Sequence, residues 1–575
     1  MRAHAVTGNL IYNYFSHPCS YRVHLDLIGD RTEKCPPTPA GRYLMQRGIR
    51  HEARVFDELR ALHPNSFVVV SRDEAAEPEA DIERRVAATT EAMRTGARVI
   101  LHGFLRGGAA KSRGFAFPDA APNEPLVFRG ESDILLRVEE PSPAFGAYGY
   151  IVADVKSSHA ATFAQKMQVA FYSWILEDIQ GSRPRTGAII NGLGEREDFA
   201  IDELIWTLRP FVEEEVFEFV RPERAFYHLE SACESCHWRE HCRARADAED
   251  DLSLVPGCTR SAKRALLGAG IASRGALKKK SDAELRDLGR AYGMRLDGFR
   301  DLQKLASAQE FKRPVIRQHP RQMIADKSSA AHGAPCLYRH RGAYLIVAGL
   351  YDGTSGREAL LGAVLRRRDE VLGAKAAAGD VLFFEESDER PAILALLAKK
   401  LEIEKLLARE PLLVLFAEGV LEHRLRQSAR RHVKKRRGLG EAVERILIDA
   451  IALTDVVDRT YFLPVEARRI GEVAALLPAT AAVGTYSKRP SHLEPAAGEW
   501  RPIPLRTALL ERVAADYGLD TSRVLAAETD RRPILLREWL STGDATCAAM
   551  ARDEVAEDLR AAECVLAHLL KLAGA

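Results

Sequence analysis

The chain is expected to fold as an α/β protein of several domains, with an α/β domain at each end and a short all-helical region between them. Three observations predict this. A length of 575 residues exceeds what one hydrophobic core supports. Residues 1–247 alternate apolar or β-branched runs with segments of helical period, and the same alternation resumes at 336–575. Between them, Pro256-Gly257 and then Gly268 and Gly270 break 248–310 into short helical pieces.

The elements follow in order. Asp26 to Gly41 is turn-rich, with Pro36, Pro37 and Pro39, and Gly41 to Leu62 then reads as an amphipathic helix. Ala97–Phe104 and Leu126–Phe128 read as strands. Asp133–Val138 and Tyr150–Val155 are apolar runs separated by the Pro/Gly-rich EEPSPAFGAYG, the pattern of a hairpin. A helix is expected from about Ala161 to Ile179, the strand GAIING after it, and a second long helix from Asp202 to Val220. The run LSLVPGCTRSAKRALLGAGIASRGAL has the pattern helix, tight glycine turn, helix. Residues 311–335, polar and basic with several prolines, read as a linker. Beyond it Ala343–Leu350 and Glu358–Arg366 are expected to pair, Pro411–Phe416 is a strand, and the tail is mostly helical.

Composition narrows the class. The chain is 46% apolar and 29% charged, with no apolar run near the roughly 20 residues of a membrane span. MRAHAVTGNLIYNYF lacks a basic region, an apolar core and a cleavage site, so a cytoplasmic location is expected and no membrane partner. Nine cysteines, odd in number and unevenly spread, argue against a disulfide scaffold and for metal binding. Net charge is only +2, but Lys278-Lys279-Lys280 and Arg424–Arg437 are concentrated basic patches suited to a nucleic-acid backbone.

Two constellations carry chemistry. Cys19 stands near the start, and Cys233, Cys236 and Cys242 follow much later with C-x2-C-x5-C spacing. Thiolates from opposite ends of a domain can share one soft metal centre and close the domain like a clasp; four thiolates suit an iron–sulfur cluster and also tetrahedral zinc. His237 and His241 lie within that segment as alternative ligands, and Trp238 is read as covering the centre. Cys35, Cys258, Cys336, Cys547 and Cys564 have no metal spacing and read as ordinary thiols. The second constellation is Asp133 on one hairpin strand with Asp154 and Lys156 at the end of the next. Period-two geometry places Asp154 and Lys156 on one face, so a carboxylate and an ammonium can address the same water and phosphate. Metal-assisted phosphodiester hydrolysis requires such groups, and hard oxygen ligands favour Mg²⁺ or Mn²⁺. Glu131 is a further carboxylate nearby, expected to point away from the face of Asp133.

Asp133…Asp154-Val155-Lys156 resembles the signature of PD-(D/E)XK nucleases, and three neighbouring features resemble the RecB-type branch. Gly48-Ile49-Arg50-His51 is similar to its G-x-x-H motif, which implies His51 as a metal ligand with Asp133 and Asp154. Gln168-Val169-Ala170-Phe171-Tyr172 is similar to its Q-x-x-x-Y motif, which implies that Gln168 and Tyr172 position the DNA strand. The split cysteines resemble the subset with a 4Fe–4S cluster, which includes the CRISPR-associated RecB-like exonucleases and the AddB nuclease domain. The resemblance implies a restriction-endonuclease-like core over residues 1–247.

Some such nucleases continue into a helix-hairpin-helix element and an RNase H-like domain of the YprB type, and the order here is similar. PLLVLFAEGVLEHRLRQSA and DAIALTDVVDRTYFLPVEARRIGEVAALL resemble parts of that domain. Its site should begin with Asp-x-Glu on the first strand, where this chain reads AYLIVAGLYDG, and its last helix offers only LRAAECVLA around Glu563. No catalysis is therefore expected there. Asp449 and Asp455 remain as carboxylates, and the domain is left to hold DNA through Arg430, Arg431, Lys434, Lys435 and Arg436, or to dock a protein partner. The expected function is a Mg²⁺- or Mn²⁺-dependent deoxyribonuclease, a single-strand exonuclease or end-trimming enzyme of repair, recombination or defence against foreign DNA. The alternatives are a non-catalytic DNA-binding or assembly subunit and a zinc-organised RNA processing factor.

Overall fold

Gly149–Val155 is buried along its whole length, which explains why its sequence is apolar throughout rather than alternating. In the computed structural model it is β5, inside a seven-stranded sheet in the order β2-β3-β4-β5-β6-β7, with β1 beside β4. The other strands are β1 (Ala5–Val6), β2 (Phe67–Val69), β3 (Val99–Arg106), β4 (Val127–Val138), β6 (Thr186–Ile190) and β7 (Arg196–Ala200). The structure describes residues 5–107, 126–293, 298–325, 334–352, 357–373, 381–385, 389–432, 438–448, 450–464, 469–477, 511–512, 514–519 and 528–574.

The expected hairpin is present: β4 and β5 pair antiparallel, from Ile134 against Ala153 to Val138 against Gly149. β4 absorbs both the Leu126–Phe128 and the Asp133–Val138 runs into one strand. β3 runs antiparallel to β4 on its other side, and β6 runs parallel to β5. One face of the sheet packs on α3 (Pro39–Leu62), through Val55 and Phe56 against Leu101, Ile134, Ala153 and Val155. The other packs on α5 (Phe163–Gln180), through Met167, Phe171 and Ile175 against Ile100, Leu135 and Val152. α5 starts with a capping box, the Thr162 side chain accepting from the Gln165 amide and the Gln165 side chain accepting from Thr162 N–H. Helices not expected include α1 (Gly8–Ser16), α2 (Ser20–Ile28), which shortens the turn-rich 26–41 segment, and α4 (Pro78–Arg94).

The chain divides into two compact units, Met1–Arg243 and Ala244–Ala575. The boundary lies four residues before the expected 247. In the second unit the helix, glycine turn, helix pattern is present, Arg260–Gly268 leading through Gly270 at φ +76° to Arg274–Lys278. Glycine is required there because an L side chain is strained at that angle. Residues 311–335 are not a bare linker: Val315–Ile316 pairs antiparallel with Tyr461–Phe462, Arg317 N–H donates to the Thr460 carbonyl, and Met323 is buried. The prolines there interrupt helices without freeing the chain from the core.

The carboxy-terminal sheet has strands Ala343–Asp352, Arg357–Arg367, Leu382–Glu385, Leu412–Phe416 and Ile451–Ala452. Their spatial order is third, second, first, fourth, fifth; the first three are antiparallel to one another, and the fourth and fifth join parallel. Helix Ala545–Leu572 packs on one face and helices Glu389–Leu407 and Gly438–Leu447 on the other. Asp352 ends the first strand and is buried against Arg537 at 3.0 Å. Glu554 and Asp558 are likewise buried, both held by Arg532.

Candidate active site

Extending the β4–β5 register one residue beyond Ile134 and Ala153 places Asp133 opposite Asp154. Asp154 is 1% exposed, and Asp133 accepts a hydrogen bond from the Val155 amide at 2.8 Å. Lys156, held by its own N–H to the Ile190 carbonyl, lies 2.6 Å from Asp154 Oδ2 and 3.9 Å from Asp133 Oδ2. Burial and then the facing Asp133 push the Asp154 carboxyl well above its ordinary pKa. Burial acts the same way on Asp133, but Lys156 and the Val155 amide outweigh it and hold that group ionised. Burial disfavours the Lys156 ammonium, yet the two carboxylates more than offset this and hold it charged. Apart from the Lys156 contact, neither Asp154 oxygen has a hydrogen-bond donor. Two facing carboxylates, with the buried Asp154 Oδ1 reached by no donor, fit a hard divalent cation.

From the opposite side, α5 presents Gln168 and Tyr172, both buried and one helical turn apart. Burial, then nearby Asp154, keep the Tyr172 hydroxyl protonated. The ring fits because two glycines make room. A Cβ on Gly8 would sit 2.2 Å from the Tyr172 oxygen, and one on Gly130 would sit 2.7 Å from its Cε1. Gly130→Ala is therefore expected to cost about 1–3 kcal/mol of stability by overpacking and to displace the Tyr172 ring. Thermal unfolding alongside a cleavage assay checks this; an unchanged melting temperature would contradict the slot.

His51 is not gathered into this group. Its Nε2 lies 3.0 Å from the Asn191 carbonyl and its Nδ1 3.1 Å from Arg54 Nη2, so one ring nitrogen donates and the other accepts. Neither lone pair is left for a metal. Among the described residues no three His, Cys, Asp or Glu side chains draw together closely enough to hold a metal ion. Two further groups approach instead. Glu52, next to His51 on α3, lies within electrostatic reach of Asp133, Lys156 and Glu131. His102 of β3 lies near Asp133 and Glu52 and bonds Glu131 at 2.9 Å. Glu131 therefore does not point away from Asp133. Residues two apart on a strand share a face, and the signal for this was present in the Glu131-Ser132-Asp133 spacing.

The four cysteines line one cleft of about 470 Å³, counting its open mouth. Cys19 caps α2, its sulfur accepting from the Arg22 amide at 3.4 Å. Cys233 accepts from the Glu230 amide and Cys236 from the Trp238 amide, each at 3.5 Å. Burial pushes the Cys233 and Cys236 thiols up, while the amide-to-sulfur bonds favour the thiolates that ligate metal; the sulfurs are not drawn together for a single ion, and a four-thiolate set suits an iron–sulfur cluster. His237 spends Nε2 on Asp26 and Nδ1 on Arg22, while His241 spends Nδ1 on Glu33 and Nε2 on Tyr21. Neither histidine faces the cleft. Trp238 is fully buried, its Nε1–H donating to Asp26, so it lines the cleft and cannot stack on a base. Cys35, read as an ordinary thiol, is buried and donates to the His237 carbonyl at 3.1 Å.

The basic patches are more occupied than their sequence implies. Lys278 pairs with Glu310 and Lys280 with Glu284. Arg424 reaches Glu358, Arg426 reaches Glu422 and Glu444, and Arg431 holds buried Glu389. Arg430 is exposed, whereas Lys434, Lys435, Arg436 and Asp449 lie outside the described residues. Asp455 is exposed, with its carboxylate against Gly419. No helix among the described residues is long and apolar enough to cross a membrane. No known family model matches the sequence, and a search of curated proteins finds no match.

Proposed function

We propose that residues 1–247 form a metal-dependent deoxyribonuclease of the RecB-type PD-(D/E)XK kind, acting on single-stranded DNA or free ends. The observation that carries the reading is the cross-strand pair Asp133 and Asp154 with Lys156 between them and no donor but Lys156 on the Asp154 oxygens. Asp133 and Asp154 would hold Mg²⁺ or Mn²⁺. When bound, that ion supplies charge to the phosphate oxygens and makes its water a better nucleophile. Lys156 steadies the developing negative charge on the phosphate and orients the attacking water. Gln168 and Tyr172 wall the site from α5 and fix the strand beside it.

The cysteine centre is read as a 4Fe–4S cluster that ties α2 to the segment 233–242, a structural role. The second unit is read as a helix-hairpin-helix element and an RNase H-like domain without catalysis. Its sheet order supports this, as do the arginines that hold its buried carboxylates. The commitment of both His51 nitrogens favours the other reading, a non-catalytic DNA-binding or assembly subunit.

Incubating the purified protein with end-labelled single-stranded DNA, duplex DNA and RNA, in Mn²⁺ and with Lys156→Ala in parallel, separates these readings. Cleavage of DNA by the wild type alone is expected. DNA binding without cleavage would establish the assembly subunit, and preferential RNA cleavage by a colourless, zinc-containing protein would establish the RNA factor.

A further inference from the structure

Breaking a phosphodiester releases an alkoxide that must be protonated, and the groups assigned above do not supply that proton. Lys156 is clamped between two carboxylates, and burial with nearby Asp154 holds the Tyr172 proton tightly on its oxygen. His102 has no assigned part, and three observations single it out.

The first is its backbone. Within β3, His102 adopts φ +54°, the left-handed region that a side-chain-bearing residue enters at a cost in stability. The β3–β4 ladder runs from Leu101 against Ile134 to Gly103 against Ser132, so His102 stands across from Asp133. The second is its fixation. Nδ1 lies 2.9 Å from Glu131 Oε1, and Glu131 Oε2 takes Arg85 Nη2 at 2.5 Å. Arg85 is itself buried, donates to the His102 carbonyl at 3.3 Å and lies over the Phe104 ring. The edge contact with Phe56 of α3 closes a further side. The third is what remains free. Nε2 has no partner among the described residues, and the side chain is 32% exposed. Of the charged groups around it, Glu131 contacts the ring directly, and that bond favours the imidazolium.

We propose that His102 is the general acid of the reaction, its Nε2–H protonating the leaving oxygen of the scissile phosphodiester, with Glu131 and Arg85 as positioning residues. This rests on the nuclease reading and adds a residue to it. As the water oxygen bonds to phosphorus, the bond from phosphorus to the leaving oxygen breaks. That oxygen takes the Nε2 proton, the attacking water loses one proton to solvent, and His102 regains one from solvent. The backbone strain is then stability given up to aim one imidazole.

The test uses a thiolate leaving group, which needs no proton. Oligonucleotides are prepared with the bridging oxygen on either side of the scissile phosphorus replaced in turn by sulfur, and assayed in Mn²⁺ beside the all-oxygen strand. His102→Asn keeps a residue that tolerates the left-handed backbone, while His102→Gly relieves the strain and is expected to melt no lower than the wild type. Both are expected to cleave all-oxygen DNA roughly 10²-fold slower or worse, yet to cleave one of the sulfur substrates within about 5-fold of the wild type. Equal losses on oxygen and sulfur substrates, or full activity of either variant, would overturn the assignment to His102 while leaving the nuclease intact. A wild type that cleaves none of the substrates overturns both.

Discussion

Asp154→Asn is expected to slow DNA cleavage by about 10³-fold or more, since it removes one of two metal-holding carboxylates whose joint contribution is several kcal/mol. The same change is expected to raise the melting temperature of the metal-free protein at neutral pH. Burial and the facing Asp133 raise the Asp154 carboxyl well above its ordinary value, so the folded protein binds that proton more tightly than the unfolded chain does. The stability this contributes is complete below the unfolded carboxyl pKa and is lost as pH rises through the raised folded value. Asparagine carries no charge to desolvate and removes that loss. Mn²⁺ should raise the melting temperature of the wild type and leave the variant unmoved, because only the ionised pair attracts the cation. A variant that retains activity, or a wild type whose melting ignores Mn²⁺ across the millimolar range, would refute the assignment of Asp133 and Asp154 as ligands.

Cys236→Ser is expected to abolish the iron–sulfur absorbance and to destabilise the first unit more than any other single change considered. The cluster would join Cys19 to Cys233, Cys236 and Cys242, closing a loop of roughly 210 residues and restraining the unfolded chain by roughly 5 kcal/mol on a chain-entropy reckoning. For a unit of this size that corresponds to a fall in melting temperature on the order of 10 °C or more. Cys35→Ser serves as the control. Its sulfur donates to the His237 carbonyl and does not line the cleft, so iron content should be unchanged. Iron retained in Cys236→Ser, or one zinc per chain in the wild type, would displace the cluster reading.

The motif residues were legible because each sits in a local pattern. The β4–β5 hairpin announces itself by two apolar runs around a Pro/Gly turn, and α5 by its helical period, so Asp133, Asp154, Lys156, Gln168 and Tyr172 could be placed on their elements. α4 was missed although Pro78 at its start and acidic Glu79 and Asp81 in its first turn were readable, because its apolar positions are sparse. β7 was missed because its polar alternation, REDFA, belongs to an edge strand with little to bury. His102 left no local trace, since a left-handed residue inside an apolar strand has no sequence signature.

Sequence by itself determined the order of elements, the two α/β sheets, the four split cysteines and the type of chemistry that two aspartates and a lysine can perform. Only the tertiary structure decided which charges meet. Strand register set Asp133 against Asp154 and His102 against Asp133, and α3 turned Glu52 toward the site while His51 went to Asn191. Packing also gave Arg431, Arg532 and Arg537 to buried carboxylates. The physical reason is range: helix and strand periods are written within a few neighbouring residues, whereas the partner of a buried charge is chosen among groups far apart in the chain, by which of them burial leaves without water.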